Sequence, residues 1–268
     1  MSDAFTTVIK ILASLAALYM CLSPSSSMYR IHKEQTTGVM SVLPLIALFL
    51  GSHMWLLYGY VTDDLFPMVT TYVIGDITSL SFIAVYYRWS SNKRYVLKVF
   101  SLVLGFCALI TLYTVLGVKG VTHQHLKDVK LIVGCFANAS SILLYTSPLA
   151  TVMLVLRTKS SASIPFTMVL VGLINNALWV VYGVLLHDAL VIAPSCVSVF
   201  TCSIQLVLFF IYRDNAKAML DLEQDKLPSA MIVPSDEVVL AAIQVDIEPY
   251  AELRSPRADM KVVTIAIQ

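Results

Sequence analysis

Prolines at 24, 44, 148 and 165, tryptophans at 55 and 179, and an aspartate at 76 all lie inside long apolar stretches. Polar and helix-breaking residues are costly in such surroundings and often functional. The chemistry open to them is narrow. The chain has no Gly-rich phosphate loop, no H-E-x-x-H pair and no two carboxylates facing each other on one helix, so hydrolytic, redox and phosphoryl-transfer signatures are missing and an enzyme is not indicated. Cys21, Cys107, Cys135, Cys196 and Cys202 sit in apolar runs without C-x-x-C spacing. They read as small core residues, with no disulfide framework, metal site or cofactor expected. What remains is side chains that stack, hydrogen-bond and bend helices.

The elements that must position them are set by composition. Of 268 residues, 58% are apolar and only 13% charged, with a mean hydropathy of +0.79, whereas a soluble domain carries roughly 25% charged residues. Seven apolar runs of bilayer-spanning length follow: 5–31 (broken near Pro24), 40–61, 67–89, 97–118, 129–156, 164–186 and 189–212. The first reads as a transmembrane helix rather than a cleaved leader, because more spans follow it. Up to Arg213 there are 13 basic and 7 acidic residues, and beyond it 5 and 10. The net charge of +1 is thus +6 on a hydrophobic body and −5 on a tail, and no basic stripe for nucleic acid can be assembled. Nine basic residues, among them Arg30, Lys33, Arg88 and Arg157, fall in the loops on one side. The positive-inside rule therefore places the N-terminus outside and the C-terminus in the cytosol.

Sliding the chain on itself exposes a repeat. Ser23-Pro24 returns as Ser147-Pro148, Trp55 as Trp179, Tyr58-Gly59 as Tyr182-Gly183 and Asp64 as Asp188, all 124 residues apart. Each repeat holds three spans, so the fourth is a linker that leaves both repeats in the same orientation. The expected architecture is an all-α membrane protein of seven helices in a 3+1+3 arrangement. Residues 1–90 form the first repeat, 91–128 the linker helix with its loops, 129–213 the second repeat, and 214–268 an acidic, proline-bearing cytosolic tail that reads as disordered.

Pro24 and Pro148 interrupt spans 1 and 5, and Pro44 and Pro165 are read as lying one turn inside spans 2 and 6. Each would remove a backbone hydrogen bond, and four in register suggest a ring of hinges at the cytosolic side. With Thr36 to Pro44, Trp55-Leu-Leu-Tyr58-Gly59, Tyr145-Thr-Ser-Pro148-Leu149, Thr158-Lys159-Ser160, Ile164-Pro165-Phe166 and Trp179-Val-Val-Tyr182-Gly183, the chain from 5 to 213 resembles the SWEET (MtN3/saliva) sugar-transporter family. The resemblance implies a bidirectional uniporter for a mono- or disaccharide. Its site would lie between two three-helix bundles that rock on a proline tetrad matched by Pro24, Pro44, Pro148 and Pro165. Trp55 and Trp179 match the pocket-wall positions, where an indole face suits the C–H face of a pyranose; as single residues they also suit an interfacial belt. Tyr72 and Ser195 stand where the family carries pocket asparagines, and offer a hydroxyl each in place of an amide. Asn176 is assigned to the same site.

Asp76, one turn beyond Tyr72, is the one acidic residue deep within a span. It is either hydrogen-bonded at a helix or protomer contact or it binds substrate or a proton. His53 reads as a packed or headgroup-level histidine. Asp188 could bond Tyr58 or Tyr182 across the external mouth as an outer gate. Asn138-Ala-Ser fits a glycosylation acceptor but lies within span 5, out of reach of a transferase. The alternatives are a proton-coupled carrier of an amino or organic acid and a seven-helix receptor, though a receptor has no reason to repeat its first three spans as its last three. The expected partners are a sugar, membrane lipids and further copies of the chain, and the plasma membrane is the expected residence.

Overall fold

A backbone surrounded by lipid has no water to bond to, so apolar runs of this length must satisfy their N–H and C=O groups within themselves as helices. The computed structural model describes residues 3–224, save Val39 and Ala162, and among these every regular element is helical. The helices are α1 (Asp3–Leu22), α2 (Ser25–Glu34), α3 (Leu43–Val61), α4 (Thr70–Trp89), α5 (Lys93–Val118), α6 (Leu126–Thr158), α7 (Phe166–Leu186) and α8 (Ala189–Gln224), with a π-helical segment, Leu65–Val69, leading into α4. Six of the described spans are long and apolar enough to cross a membrane. The remaining long helix, α6, holds no charged residue between Lys130 and Arg157 and crosses as well. The chain is an integral, multi-pass membrane protein. Leu102, Phe200 and Ile142, which a soluble protein would bury, lie on the lipid-facing exterior.

The repeat is visible in the backbone as well as in the residues. Gln35 and Lys159 close α2 and α6 in the left-handed conformation, at φ 55° and 54°, and Asp63 and His187 follow α3 and α7 at 56° and 53°. Both pairs stand at the spacing that relates the repeats, and none is glycine. Packing follows the same two-fold logic. The repeats meet through α1 against α7 and α3 against α6, and each closes internally through α3 on α4 or α7 on α8. The linker α5 packs on α3 and α6. Its first turn is capped by the Asn92 side chain, which accepts from the Tyr95 N–H at 3.2 Å.

The prolines differ from the expectation of four breaks inside helices. Pro148 lies within α6, and Pro24 separates α1 from α2. Pro44, however, is in the first turn of α3, and Pro165 is the residue before α7. There the missing N–H is one that has no intrahelical partner in any case, so neither residue breaks a helical bond. The apolar runs extend beyond the helices, which is why hydropathy placed these two prolines too far in. The last helix also differs: α8 continues past Arg213 to Gln224, into the start of the expected tail, while residues 225–268 lie outside the described residues.

A fifth proline carries a clear structural consequence. Pro194, inside α8, cannot donate to the carbonyl of Leu190 four residues earlier. The Asn138 side chain of α6 takes that place, donating to Leu190 O at 3.0 Å and to Gly134 O of its own helix at 2.9 Å. Asn138 is thus a strut between α6 and α8. Replacing it by Ala leaves the Leu190 carbonyl unpaired and is expected to cost about 1–3 kcal/mol, lowering the melting temperature in detergent by several degrees. Asn176→Ala removes only a bond to its own helix, to Gly172 O, and should shift it little. Adding Pro194→Ala to Asn138→Ala restores an N–H for Leu190 and should recover much of the loss.

Candidate substrate site and its closed mouth

Three-residue spacing puts Trp55 and Tyr58 on one face of α3 and Trp179 and Tyr182 on one face of α7. Each tyrosine stands edge-on to its tryptophan, both pairs at 5.7 Å between ring centroids with interplanar angles of 83° and 81°. The glycine after each tyrosine lets the next helix close in: a Cβ on Gly59 would meet Met68 Cβ at 2.8 Å, and one on Gly183 would meet Ile192 Cγ1 at the same distance. On α6, Gly134 makes room for the Tyr58 ring, whose Cε2 would lie 2.8 Å from an added Cβ.

The two tyrosines reach across to the opposite repeat. Tyr58 donates to the Asp188 carboxylate, 2.7 Å from Oδ2 and 2.9 Å from Oδ1, and Tyr182 donates to Asp64 Oδ2 at 2.5 Å. Both phenols are fully buried. The sequence pointed to Asp188 and left its tyrosine open; the partner is Tyr58. It did not mark Asp64 as a gate residue, although the repeat spacing pairs the two aspartates. One side carries an extra cation: Lys130 Nζ lies 2.8 Å from Asp188 Oδ2 and over the Tyr58 ring. Burial pushes the Asp64 carboxyl above its ordinary value, only partly opposed by the Tyr182 bond and the Lys10 charge. Burial acts on Asp188 in the same sense, but bonds from Lys130 and Tyr58 overcome it and hold its carboxyl below the ordinary value.

Beneath this mouth three aromatic rings stand in a row. Tyr72 of α4 lies against Trp55 at 6.3 Å and 23°, and against Trp179 at 5.9 Å and 31°. Trp55 donates its indole N–H to Ser141 Oγ of α6 at 3.0 Å. The N–H of Trp179 is buried with no partner, as is Asn175 Oδ1 one turn before it. The repeat explains the difference, because the residue 124 positions before Ser141 is Ala17. Of the other residues assigned to the site, Ser195 is buried and donates to Val191 O at 3.0 Å, and Asn176 donates to Gly172 O at 2.7 Å. Both are turned to their own helices. Ser141 and Asn175 were not picked out from the sequence; only the match of Ser141 to the indole across the bundle marks it.

Asp76 is placed elsewhere. Its Oδ2 is 2.8 Å from His53 Nδ1, and His53 Nε2 is 2.9 Å from Thr111 Oγ1 of the linker helix. Asp76 Oδ1 is buried without a partner. His53 faces α5 while Trp55, two residues on, faces α6, so this chain of polar groups ties α3, α4 and α5 together behind the aromatic row. Among the described residues no cluster of three His, Cys, Asp or Glu side chains is placed to hold a metal ion.

Comparison with known proteins adds an independent line. The family model described as "Sugar efflux transporter for intercellular exchange" matches residues 7–94 and 131–217, the two repeats without most of the linker. The chain is 28% identical to the bidirectional sugar transporter SWEET11 of Arabidopsis thaliana over 79% of its own length and 72% of that protein. It is 27% identical to the sugar transporter SWEET1 of Drosophila pseudoobscura pseudoobscura over 75% and 86%. A solved structure of a eukaryotic SWEET transporter superimposes with a TM-score of 0.71 at 25% identity, covering 78% of this chain and 97% of that one.

The two carboxylates of the mouth, Asp64 and Asp188, should respond oppositely to pH. A carboxyl raised on folding contributes stability that is present at low pH and lost as pH rises through the folded value; one lowered on folding contributes stability lost as pH falls below the unfolded value. Their windows therefore lie above 3.8 for Asp64 and below it for Asp188. Melting temperatures in detergent, taken as variant minus parent, are expected to rise with pH through the upper window for Asp64→Asn. For Asp188→Asn the difference should fall with rising pH through the lower one.

Proposed function

We propose, from the premise that the chain belongs to the MtN3/saliva family of sugar efflux transporters, that it is a facilitative carrier moving a sugar in either direction across a membrane by alternating access between its two three-helix bundles. The observation that carries the reading is the doubled constellation of tryptophan and tyrosine on α3 and α7, each tyrosine bonded to the aspartate that follows the other helix. Binding is the task of the tryptophans. Their flat apolar faces suit the C–H face of a pyranose, and the unpartnered Trp179 N–H can donate to a ring hydroxyl. Tyr58, Tyr182, Asp64 and Asp188 form the outer gate, closed in this conformation. Opening it requires both crossed bonds to break, which happens if the bundles tilt apart at that end while the Pro24, Pro44, Pro148 and Pro165 end closes.

The basic loops support an outside N-terminus and a cytosolic C-terminus, with the Asp64 and Asp188 mouth external. We place the carrier in the plasma membrane, surrounded by lipid and associated with further copies of itself, with no cofactor and no chemical conversion of the sugar. Uniport is favoured over proton coupling because the carboxylate within the membrane, Asp76, is bonded to His53 on the far side of α3 from the aromatic row.

Counterflow of radiolabelled sugars in proteoliposomes tests the reading directly. Exchange should be unchanged by an imposed pH gradient, and Asp76→Asn should not alter that. Trp179→Phe keeps a ring but removes the N–H, and should weaken half-saturation roughly fivefold, the equivalent of about 1 kcal/mol for one hydrogen bond. Alanine at either tryptophan should reduce exchange much further while the protein still folds. Absence of exchange for every sugar offered, or proton movement with the sugar that Asp76→Asn abolishes, would overturn the proposal.

A further inference from the structure

Tyr72 holds a place that a passive wall residue would not. Its ring stands against both indoles, at 6.3 Å and 23° from Trp55 and at 5.9 Å and 31° from Trp179, and among the aromatic side chains of the described residues it is the one paired with both tryptophans. Its counterpart in the second repeat, Ser195, is small and its hydroxyl is tied to the first turn of α8. The departure from two-fold symmetry therefore puts one bulky aromatic side chain into a slot otherwise framed by matching residues. We propose that Tyr72 is the size filter of the carrier, restricting its substrate to a single-ring sugar. This deepens the sugar-carrier reading and rests on it.

The argument is steric. A phenol ring and a pyranose ring are close to each other in size, and both present flat faces to an indole. Tyr72 in the slot thus occupies the space of one sugar ring and makes the stacking contacts a sugar would make. A sugar can take its place only if the side chain swings aside, and rotation about χ1 and χ2 moves the ring without removing it from the neighbourhood of α4. As long as the ring stays on the Trp55 and Trp179 side of α4, about one ring's worth of room is subtracted from the space between the bundles. A monosaccharide exchanges one ring for another. A disaccharide needs a second ring's room, which the phenol holds.

The test is counterflow with the full chain in proteoliposomes, offering radiolabelled glucose and sucrose to the parent protein and to Tyr72→Phe, Tyr72→Asn and Tyr72→Ala, with quenching of tryptophan fluorescence by each sugar in detergent as a second reading. The parent should exchange glucose and discriminate against sucrose by at least about tenfold, the scale on which pocket size discriminates. Tyr72→Ala and Tyr72→Asn should raise sucrose relative to glucose by a similar factor, and sucrose should then quench fluorescence. Tyr72→Phe, equal in bulk, should keep the parent ratio. Sucrose exchanged as readily as glucose by the parent, an unchanged ratio in the two small variants that still carry glucose, or a Phe variant behaving like Ala would each overturn the filter while leaving the carrier standing. If one small variant fails to fold, the other decides. No exchange or quenching by any sugar with the parent would overturn the carrier and the filter together.

Discussion

Two hydrogen bonds crossing between the repeats, Tyr58 to Asp188 and Tyr182 to Asp64, set the distance between α3 and α7 and hence the spacing of everything beneath them. Each joins a phenol to a carboxylate at a mostly buried position, and bonds to charged groups are worth about 1.5–3 kcal/mol apiece. Together they join the two repeats at one end of the bundle. Each tyrosine is also edge-packed on the tryptophan one turn deeper, so the gate and the aromatic row are mechanically one unit.

The repeat gives the chain this paired arrangement, and its departures from symmetry make the two halves chemically unequal. Ser141 satisfies the indole of Trp55, whereas Ala17 leaves the buried N–H of Trp179 without a partner. Lys130 reinforces Asp188, whereas Thr6, 124 residues before it, brings no charge to Asp64. The two carboxyls consequently shift in opposite directions although their tyrosine bonds are alike. One side of the mouth is a carboxylate held by a lysine and a phenol, and the other a carboxylate held by a phenol.

How much of this the residues reveal in advance depends on whether the deciding interaction is local. Helices in lipid are dictated by the chain's own apolar length, so the seven spans and the 3+1+3 order could be read directly. Helix ends depend on single caps: the Asn92 side chain starts α5 at Lys93, ahead of the run at 97 that hydropathy marks. The same limit put Pro44 and Pro165 inside helices that in fact begin beside them. Trp55, Trp179 and Asp188 were recognisable because repetition makes them conspicuous. Asp64 carries the same signal through its match to Asp188. Ser141 and the seat of Tyr72 between two indoles depend on helices from both repeats meeting, and no local pattern encodes that meeting.

The linker helix explains the one buried charge that the repeat does not account for. His53 and Asp76 have Ala177 and Val199 as counterparts in the second repeat, and there those apolar residues line an open groove of about 470 Å³ between α7 and α8, facing away from the bundle centre. In the first repeat α5 packs on α3, and it is there that the polar chain from Asp76 through His53 to Thr111 runs. Lipid and helix surfaces are equally apolar, so burial alone does little to fix where a connecting helix docks; interhelical hydrogen bonds supply the specificity. The Asp76 and His53 pair is therefore best understood as the clasp that seats α5 on the first bundle. The helix that leaves the two repeats in the same orientation is thereby held to α3 by a side-chain hydrogen bond.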